Sequence, residues 1–310
     1  MSAQEFLELP AAFLAYNKRS IIEVDHNTSI DAAIGLMADY NVLCVIITTD
    51  GSPTGIVSVH DVLRYFAIAV HPIDADPGEV PSEKKVRAFL ARPIVELAEI
   101  HEAGSESNDL WMCSVSDSVK DVLDMMQKGA HRLVIRMGTP EAPFYRLISQ
   151  TDLCRELYRY SHDLFTCHLA MPVTSCAHTM DGELVTAAED TTVLEAMRMM
   201  EAQDVQCIPI LSDVGKLVGS FSASDLRGIT ATCLRNVHST TLKDFKQRFG
   251  SVPFRPITCL PHERLIKVMA KVLAAHVHRA WIVNTHGDVI GVLSLTDIIT
   301  SILNIGSKCS

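Results

Sequence analysis

Four times along this chain of 310 residues an apolar strand runs into the same step, a serine followed three positions later by an aspartate. The four segments are Gly55-Ile56-Val57-Ser58-Val59-His60-Asp61-Val62, Arg146-Leu147-Ile148-Ser149-Gln150-Thr151-Asp152-Leu153, Gly219-Ser220-Phe221-Ser222-Ala223-Ser224-Asp225-Leu226 and Gly291-Val292-Leu293-Ser294-Leu295-Thr296-Asp297-Ile298. The aspartates stand 91, 73 and 72 residues apart. The last two intervals agree to one residue, and the first holds an additional helix or loop. Recurrence at this spacing means that each copy builds the same supersecondary unit, and it limits the fold more tightly than composition does.

The parts upstream of each aspartate repeat too. A short apolar strand comes first, at Ile21–Val24, Trp111–Cys113, Leu184–Thr186 and Ile257–Cys259. A capping segment follows, at Asn27-Thr28-Ser29, Ser116-Asp117-Ser118, Asp190-Thr191-Thr192 and Pro261-His262-Glu263, and opens an amphipathic helix. The apolar stripes are Val119, Val122, Leu123 and Met126 in the second copy, Val193, Ala196, Met197 and Met200 in the third, and Leu265, Val268, Met269 and Val272 in the fourth. Then come a buried-type strand (Leu43–Ile47, Leu133–Ile135, Cys207–Leu211, Ala280–Val283), a turn carrying glycine, the strand ending in Ser-x-x-Asp, and a second helix. Each unit therefore reads strand–helix–strand–strand–helix. One such unit has too little apolar area to be stable alone, so the copies are expected to pair. The long connections, 72–108 and 160–182, divide the chain into two tandem pairs, 15–165 and 166–304. The copies fall at 15–70, 109–165, 166–236 and 237–304, and 71–108 is a linker with a helix over Ser82–Ala98. An amphipathic helix over Ala3–Tyr16 is expected to pack on the first copy.

Charge and cysteine content narrow the function classes. The chain carries 27 Lys+Arg against 37 Asp+Glu, a net charge of −10, which argues against duplex nucleic acid or an anionic membrane as the main partner. No apolar run reaches membrane-spanning length, and Met1–Pro10 lacks the features of a signal peptide. The nine cysteines are scattered without a CxxC, which disfavours zinc clusters and disulfide frameworks and points to a reducing interior, cytoplasmic or nuclear. No P-loop, GxSxG, HExxH or dinucleotide-type glycine loop occurs, so a binding or regulatory module is favoured over an enzyme. His262, His276, His278 and His286 are the one candidate metal set, and their spacing disfavours it.

Two basic pairs stand out: His131-Arg132, before Leu133-Val134-Ile135, and His278-Arg279, before Ala280-Trp281-Ile282-Val283. Both lie between the first helix and the second strand, and only in copies two and four. Copies one and three carry Leu43-Cys44 and Gln206-Cys207 there. A lone Ser-x-x-Asp is only a helix cap, and a lone His-Arg is a solvated element edge. Repetition in register favours a ligand site over both readings. Met125, Met126, Met197, Met199, Met200 and Trp281 are expected in the core.

In order and spacing the repeat resembles the CBS domain, over nearly the whole chain. With the two basic pairs, four copies resemble the gamma regulatory subunits of AMP-activated protein kinase and their yeast and plant counterparts. That resemblance implies an α/β fold of four CBS repeats in two tandem pairs forming a flat disk. The basic pairs would reach its centre and contact nucleotide phosphates. It also implies AMP, ADP or ATP as regulatory ligands, with Asp61, Asp152, Asp225 and Asp297 holding ribose hydroxyls. Kinase catalytic and beta scaffold subunits would be partners. The chemistry agrees. A carboxylate at a strand-to-helix junction accepts two hydrogen bonds from a ribose diol. The adjacent helix N-terminus, with Ser58, Ser149, Ser222 or Ser294, suits a phosphate. Arginine grips phosphate bidentately, and histidine titrates near neutrality. The base is expected near Val24, Cys113, Thr186 and Cys259. Departures from the family matter for occupancy. The family has a phosphate-binding arginine at the place of Leu43, and the mammalian subunit has a basic residue at the place of Asp152. The second pocket is therefore expected to be competent here, and one to three nucleotides to bind. The alternatives are a stand-alone, self-associating sensor of adenosyl ligands and a structural adaptor with degenerate pockets.

Overall fold

The computed structural model describes residues 2–70, 81–99, 110–160, 169–176, 178–179, 184–249 and 256–303. Each repeat builds a sheet of three strands in which the first pairs parallel to the second and the second antiparallel to the third. In chain order the strands are Glu23–Asp25, Cys44–Thr49 and Ser52–Ser58; Met112–Ser114, Arg132–Gly138 and Pro143–Ser149; Ala187–Ala188, Cys207–Leu211 and Leu217–Ser222; and Thr258–Cys259, Arg279–Val283 and Val289–Ser294. His178–Thr179 adds a fourth strand to the last sheet. The parallel step spans the first helix of the repeat: Ile30–Asp39, Val119–Gln127, Val193–Ala202 or Leu265–Ala274. The stripes read from the sequence are those buried, with Val119, Val122, Leu123, Met126, Leu265, Val268 and Met269 all fully buried.

The antiparallel step is a tight turn, closed at left-handed glycines Gly51, Gly138, Gly215 and Gly287. Gly138 is the most constrained: at φ +83° an added Cβ would lie 2.4 Å from the Ala142 carbonyl oxygen.

Two compact units form. One holds repeats 2 and 4 with the N-terminal segment (Met1–Ile21, Ser105–Gly182, Ile257–Ser310), and the other holds repeats 1 and 3 (Ile22–Gly104, Glu183–Pro256). Each has its own apolar core. In the first, the helix Leu295–Leu303 packs on Val119–Gln127 and Gln150–Arg159, and Leu265–Ala274 packs on Gln150–Arg159. In the second, Val59–Ala69 packs on Val193–Ala202.

The connections are structural members, not passive linkers. Four short straps bridge the N-termini of the four first helices. On repeat 2, Val119 N donates to Leu9 O (2.8 Å) and Ala11 N to Asp117 O (2.6 Å). On repeat 1, Ile30 N donates to Arg92 O (2.9 Å) and Ile94 N to Thr28 O (2.8 Å). On repeat 4, Leu265 N donates to Met171 O and Val173 N to Glu263 O, both at 2.9 Å. On repeat 3, Val193 N donates to Thr240 O (2.9 Å) and Leu242 N to Thr191 O (2.8 Å). Each strap satisfies a helix N–H that has no partner inside the helix. Aromatic contacts anchor three of them: Phe6 on Tyr160, Phe89 on Phe66 and Phe245 on Phe221, with ring centroids 5.4, 5.5 and 5.9 Å apart. Each strap precedes the sequence neighbour of the repeat it covers. Repeats 1 and 2 thus exchange straps, as do 3 and 4.

Several local expectations are corrected. The N-terminal segment is not one helix on the first copy. It breaks at Leu9-Pro10 into Ala3–Leu7 and Ala12–Ala15 and packs on repeat 2, because Pro10 cannot continue a helix and Leu9 and Ala11 pair as a strap. The helix expected over Ser82–Ala98 breaks at Arg92-Pro93 into Glu83–Leu90 and Val95–Glu99 for the same reason. The second helix of repeat 3 is only a 3₁₀ turn, Ala223–Leu226, ended by left-handed Gly228 (φ +79°) before Ala231–Leu234. Ser29, Ser118 and Thr192 cap their helices, whereas Arg264 leads the fourth without a side-chain cap. Residues 71–80 and 100–109 of the first connection lie outside the described residues.

Candidate functional site

All four Ser-x-x-Asp steps form capping boxes at the start of the second helix or 3₁₀ turn. Ser58, Ser149, Ser222 and Ser294 each donate backbone N–H and hydroxyl to Oδ2 of Asp61, Asp152, Asp225 and Asp297, at 2.6–3.0 Å. Such a cap is worth about 0.5–2 kcal/mol. Helix capping therefore engages one carboxylate oxygen, and the other, Oδ1, is the atom that differs between repeats.

In repeat 1, Oδ1 of Asp61 is buried and has no hydrogen-bond partner among the described residues. In repeat 2, Lys18 Nζ donates to Asp152 Oδ1 and Oδ2 at 2.9 and 2.8 Å, and Arg155 stands 3.8 Å away. In repeat 3, Lys246 Nζ forms a buried ion pair with Asp225 Oδ1. In repeat 4, Asp297 is 6% exposed, and its charge acts on the neighbouring Cys176. The sequence pointed to the four aspartates and missed the two lysines. Lys246 did leave a signal: it lies on the Leu242–Phe245 face of the helix Leu242–Phe249, where an apolar residue belongs, while Lys243, Asp244, Gln247 and Arg248 are exposed. Lys18 left none.

Strand register places the basic pairs. Arg132 lies opposite Ser149 and Arg279 opposite Ser294, so each arginine sits beside the capping box of its own repeat. The same register positions in repeats 1 and 3 hold Cys44, opposite Ser58, and Cys207, opposite Ser222. The carbonyls of His131 and His278 accept from Gln150 N and Leu295 N, which fixes both histidines at the helix starts. Both basic pairs therefore belong to the unit of repeats 2 and 4, and neither belongs to the other unit.

A polar chain joins those two repeats. His131 Nδ1 lies 3.4 Å from Gln150 Oε1, and the Gln150 amide donates to Thr296 Oγ1 at 3.1 Å. Gln150 is 7% exposed, so its amide is held in place. Burial pushes the His131 ring below the usual histidine value; Arg132 and Arg279 push the same way, against the Gln150 hydrogen bond. Arg279 of one repeat is thus close enough to act on His131 of the other. His60 is also pushed down by burial, with Asp61 and Glu201 opposing. The sign follows from proton binding: the unfolded chain binds more protons, so this stability is fully present above the ordinary value of 6.5 and is lost as pH falls below it. The melting temperature should therefore fall between pH 7.5 and pH 5.5, and by less in His131→Gln. A wild-type profile that is flat or rises on acidification contradicts this.

Of the four expected base neighbours, three agree and the fourth differs. Val24, Cys113 and Cys259 are buried and occupy equivalent register positions, opposite Ile47, Ile135 and Ile282. In repeat 3 that position, opposite Ile210, is Ala187; Thr186 lies one residue earlier, outside the strand. Trp281 is in the core at 3% exposure. The described cysteines are free thiols, and burial pushes Cys113 up to about 12 and Cys176 and Cys259 up to about 11, so they are protonated at neutral pH. No group of three metal-ligating side chains, and no helix long and apolar enough to cross a membrane, occurs among the described residues.

The CBS domain family model matches residues 15–68, 160–230 and 250–304. The chain is 25% identical over 356 aligned positions to SNF1-related protein kinase regulatory subunit gamma-like PV42b of Arabidopsis thaliana, covering 96% of this chain and 95% of that protein. It is 26% identical over 160 positions to the 5'-AMP-activated protein kinase subunit gamma of Saccharomyces cerevisiae, covering 51% of this chain and 47% of that one. Among solved structures, protein MJ1225 of Methanocaldococcus jannaschii superposes with a TM-score of 0.68 at 14% identity, over 94% of this chain and 99% of that one.

Proposed function

The chain belongs to the CBS domain family, related to the AMP-activated and SNF1 gamma regulatory subunits, and from that premise we propose that it is an adenine-nucleotide-sensing subunit of a protein kinase complex. The observation that carries the nucleotide reading is the gathering of both His-Arg pairs in one unit, beside the capping boxes of Asp152 and Asp297. A phosphate group suits that cluster: two guanidinium groups and two helix N-termini supply N–H donors and positive potential. Where its second oxygen is open to a ligand, a capping-box aspartate can accept from a ribose hydroxyl. AMP, ADP and ATP differ in the negative charge they bring to Arg132, Arg279, His131 and His278. Gln150, between His131 and Thr296, couples that charge to the packing of repeats 2 and 4. A ligand with different affinity for two arrangements of these helices shifts the balance between them, and a partner reads the shift.

The kinase part of the proposal draws on the printed names of PV42b and the yeast gamma subunit. Its test is co-purification with kinase catalytic and beta scaffold subunits. Recovery of both supports it, and a homodimer that takes up neither contradicts it. The nucleotide part is tested by titration calorimetry with AMP, ADP and ATP. Saturable heat for at least one is expected. No heat and no thermal shift up to about 1 mM, where binding would be worth only about 4 kcal/mol, removes the nucleotide reading.

A further inference from the structure

The four aspartates are alike in their caps and unlike at their other oxygen. In repeats 1, 2 and 3 the difference lies in the straps. The strap on repeat 2 runs from Leu9-Pro10-Ala11 to Lys18, whose ammonium sits on Asp152 at 2.8 and 2.9 Å. The strap on repeat 3 runs from Thr240-Thr241-Leu242 to Lys246, which pairs with Asp225, both side chains being at least nine-tenths buried. On repeat 1 the corresponding strap continues into Leu97 and Ala98, with Ala98 against Gly55, and it brings no cation: Asp61 Oδ1 stays buried without a partner among the described residues. An ammonium group donates to the same lone pairs that a ribose hydroxyl would use. Lysine and ribose therefore exclude one another at a given carboxylate.

We propose that Lys18 and Lys246 are internal occupants that close the aspartates of repeats 2 and 3 to a nucleoside, so that the straps set which repeats take a ligand. This rests on the reading of the aspartates as ribose acceptors. Each lysine arrives from a segment that precedes the neighbouring repeat, so the closure also makes ligand binding in one repeat depend on a segment covalently continuous with its partner. Lys18 is one-third exposed and can leave; Lys246 is buried with its partner and stays.

The test counts sites by calorimetry with adenosine and with AMP. Lys18→Met should bind one more equivalent than the wild type, and Lys18→Met/Asp152→Asn should return to the wild-type number. Lys246→Met should show a melting temperature that adenosine raises by several degrees more than it raises the wild type's. No added equivalent in Lys18→Met, or an added one that survives Asp152→Asn, overturns the closure while leaving the nucleotide reading in place. Absence of binding in the wild type and in every variant overturns the ribose reading and the closure with it. Should Lys246→Met fail to fold, the Lys18 pair of variants still decides, because Lys18 is partly exposed and its loss leaves the core intact.

Discussion

Lys246→Ala should lower the unfolding free energy of the unit holding repeats 1 and 3 by about 3–5 kcal/mol, whereas Lys18→Ala should cost about 1 kcal/mol. Both lysines meet the same kind of carboxylate, so the contrast isolates burial. Lys246 and Asp225 are 5% and 7% exposed in their side chains; Lys18 and Asp152 are 32% and 12% exposed. Removing Lys246 leaves a buried carboxylate whose remaining partner among the described residues is its serine cap. Removing Lys18 lets water and Arg155 reach Asp152. The pair itself need not be net stabilising, since taking two charges out of water offsets much of their attraction. Lys246→Met/Asp225→Leu should therefore recover most of what Lys246→Ala loses. Denaturant unfolding of the three variants checks this. Equal costs for Lys246→Ala and Lys18→Ala, or no recovery in the double variant, contradicts the assignment of Lys246 to a buried pair.

Arg132→Gln/Arg279→Gln should weaken ATP binding about 100-fold or more and adenosine binding by less than about threefold. A hydrogen bond to a charged group contributes about 1.5–3 kcal/mol, and two arginines are removed. Arginine is a donor-only, permanently charged group beside each capping box, which assigns it to phosphate, while the acceptor carboxylate of the box is assigned to ribose. The effect should therefore scale with phosphate number, ATP losing most, then AMP. Glutamine keeps the proximal methylenes and a polar end without the charge, so the strands that begin at Arg132 and Arg279 should survive. Calorimetry with adenosine, AMP and ATP reads the series directly. Equal losses for adenosine and ATP would assign these residues to the fold instead of to phosphate.

The repeat was legible because its signals are local. A serine three residues before an aspartate at a strand-to-helix step is a local capping signal, and all four form the box. The stripes Val119-Val122-Leu123-Met126 and Leu265-Val268-Met269-Val272 follow the helical period and are buried as that period requires. The alignment of Leu43-Cys44 and Gln206-Cys207 with the basic pairs is reproduced by the strand register at Cys44 and Cys207. What stayed hidden is non-local. Leu9-Pro10-Ala11 meets Asp117-Ser118-Val119 through two backbone hydrogen bonds more than a hundred residues apart in sequence, and no residue type announces such a bridge. Proline marked the breaks at Pro10 and Pro93 but not what the broken ends would pair with. The first strand of repeat 3 was placed over Leu184–Thr186 and lies at Ala187–Ala188, because two small residues carry a weak apolar signal while the parallel register with Ile210 and Leu211 decides the pairing. Lys18 and Lys246 escaped because a lysine is by default a solvated residue, and only its tertiary partner shows otherwise.

The most direct measurement is a crystal structure grown with AMP. Density for AMP with its phosphate within hydrogen-bond distance of His131, Arg132 or Arg279, and its ribose on Asp297, is the predicted result. Crystals grown at saturating AMP that show the nucleotide elsewhere, or none while the His-Arg pairs are fully paired with the protein's own carboxylates, would contradict the account of this chain as a nucleotide sensor.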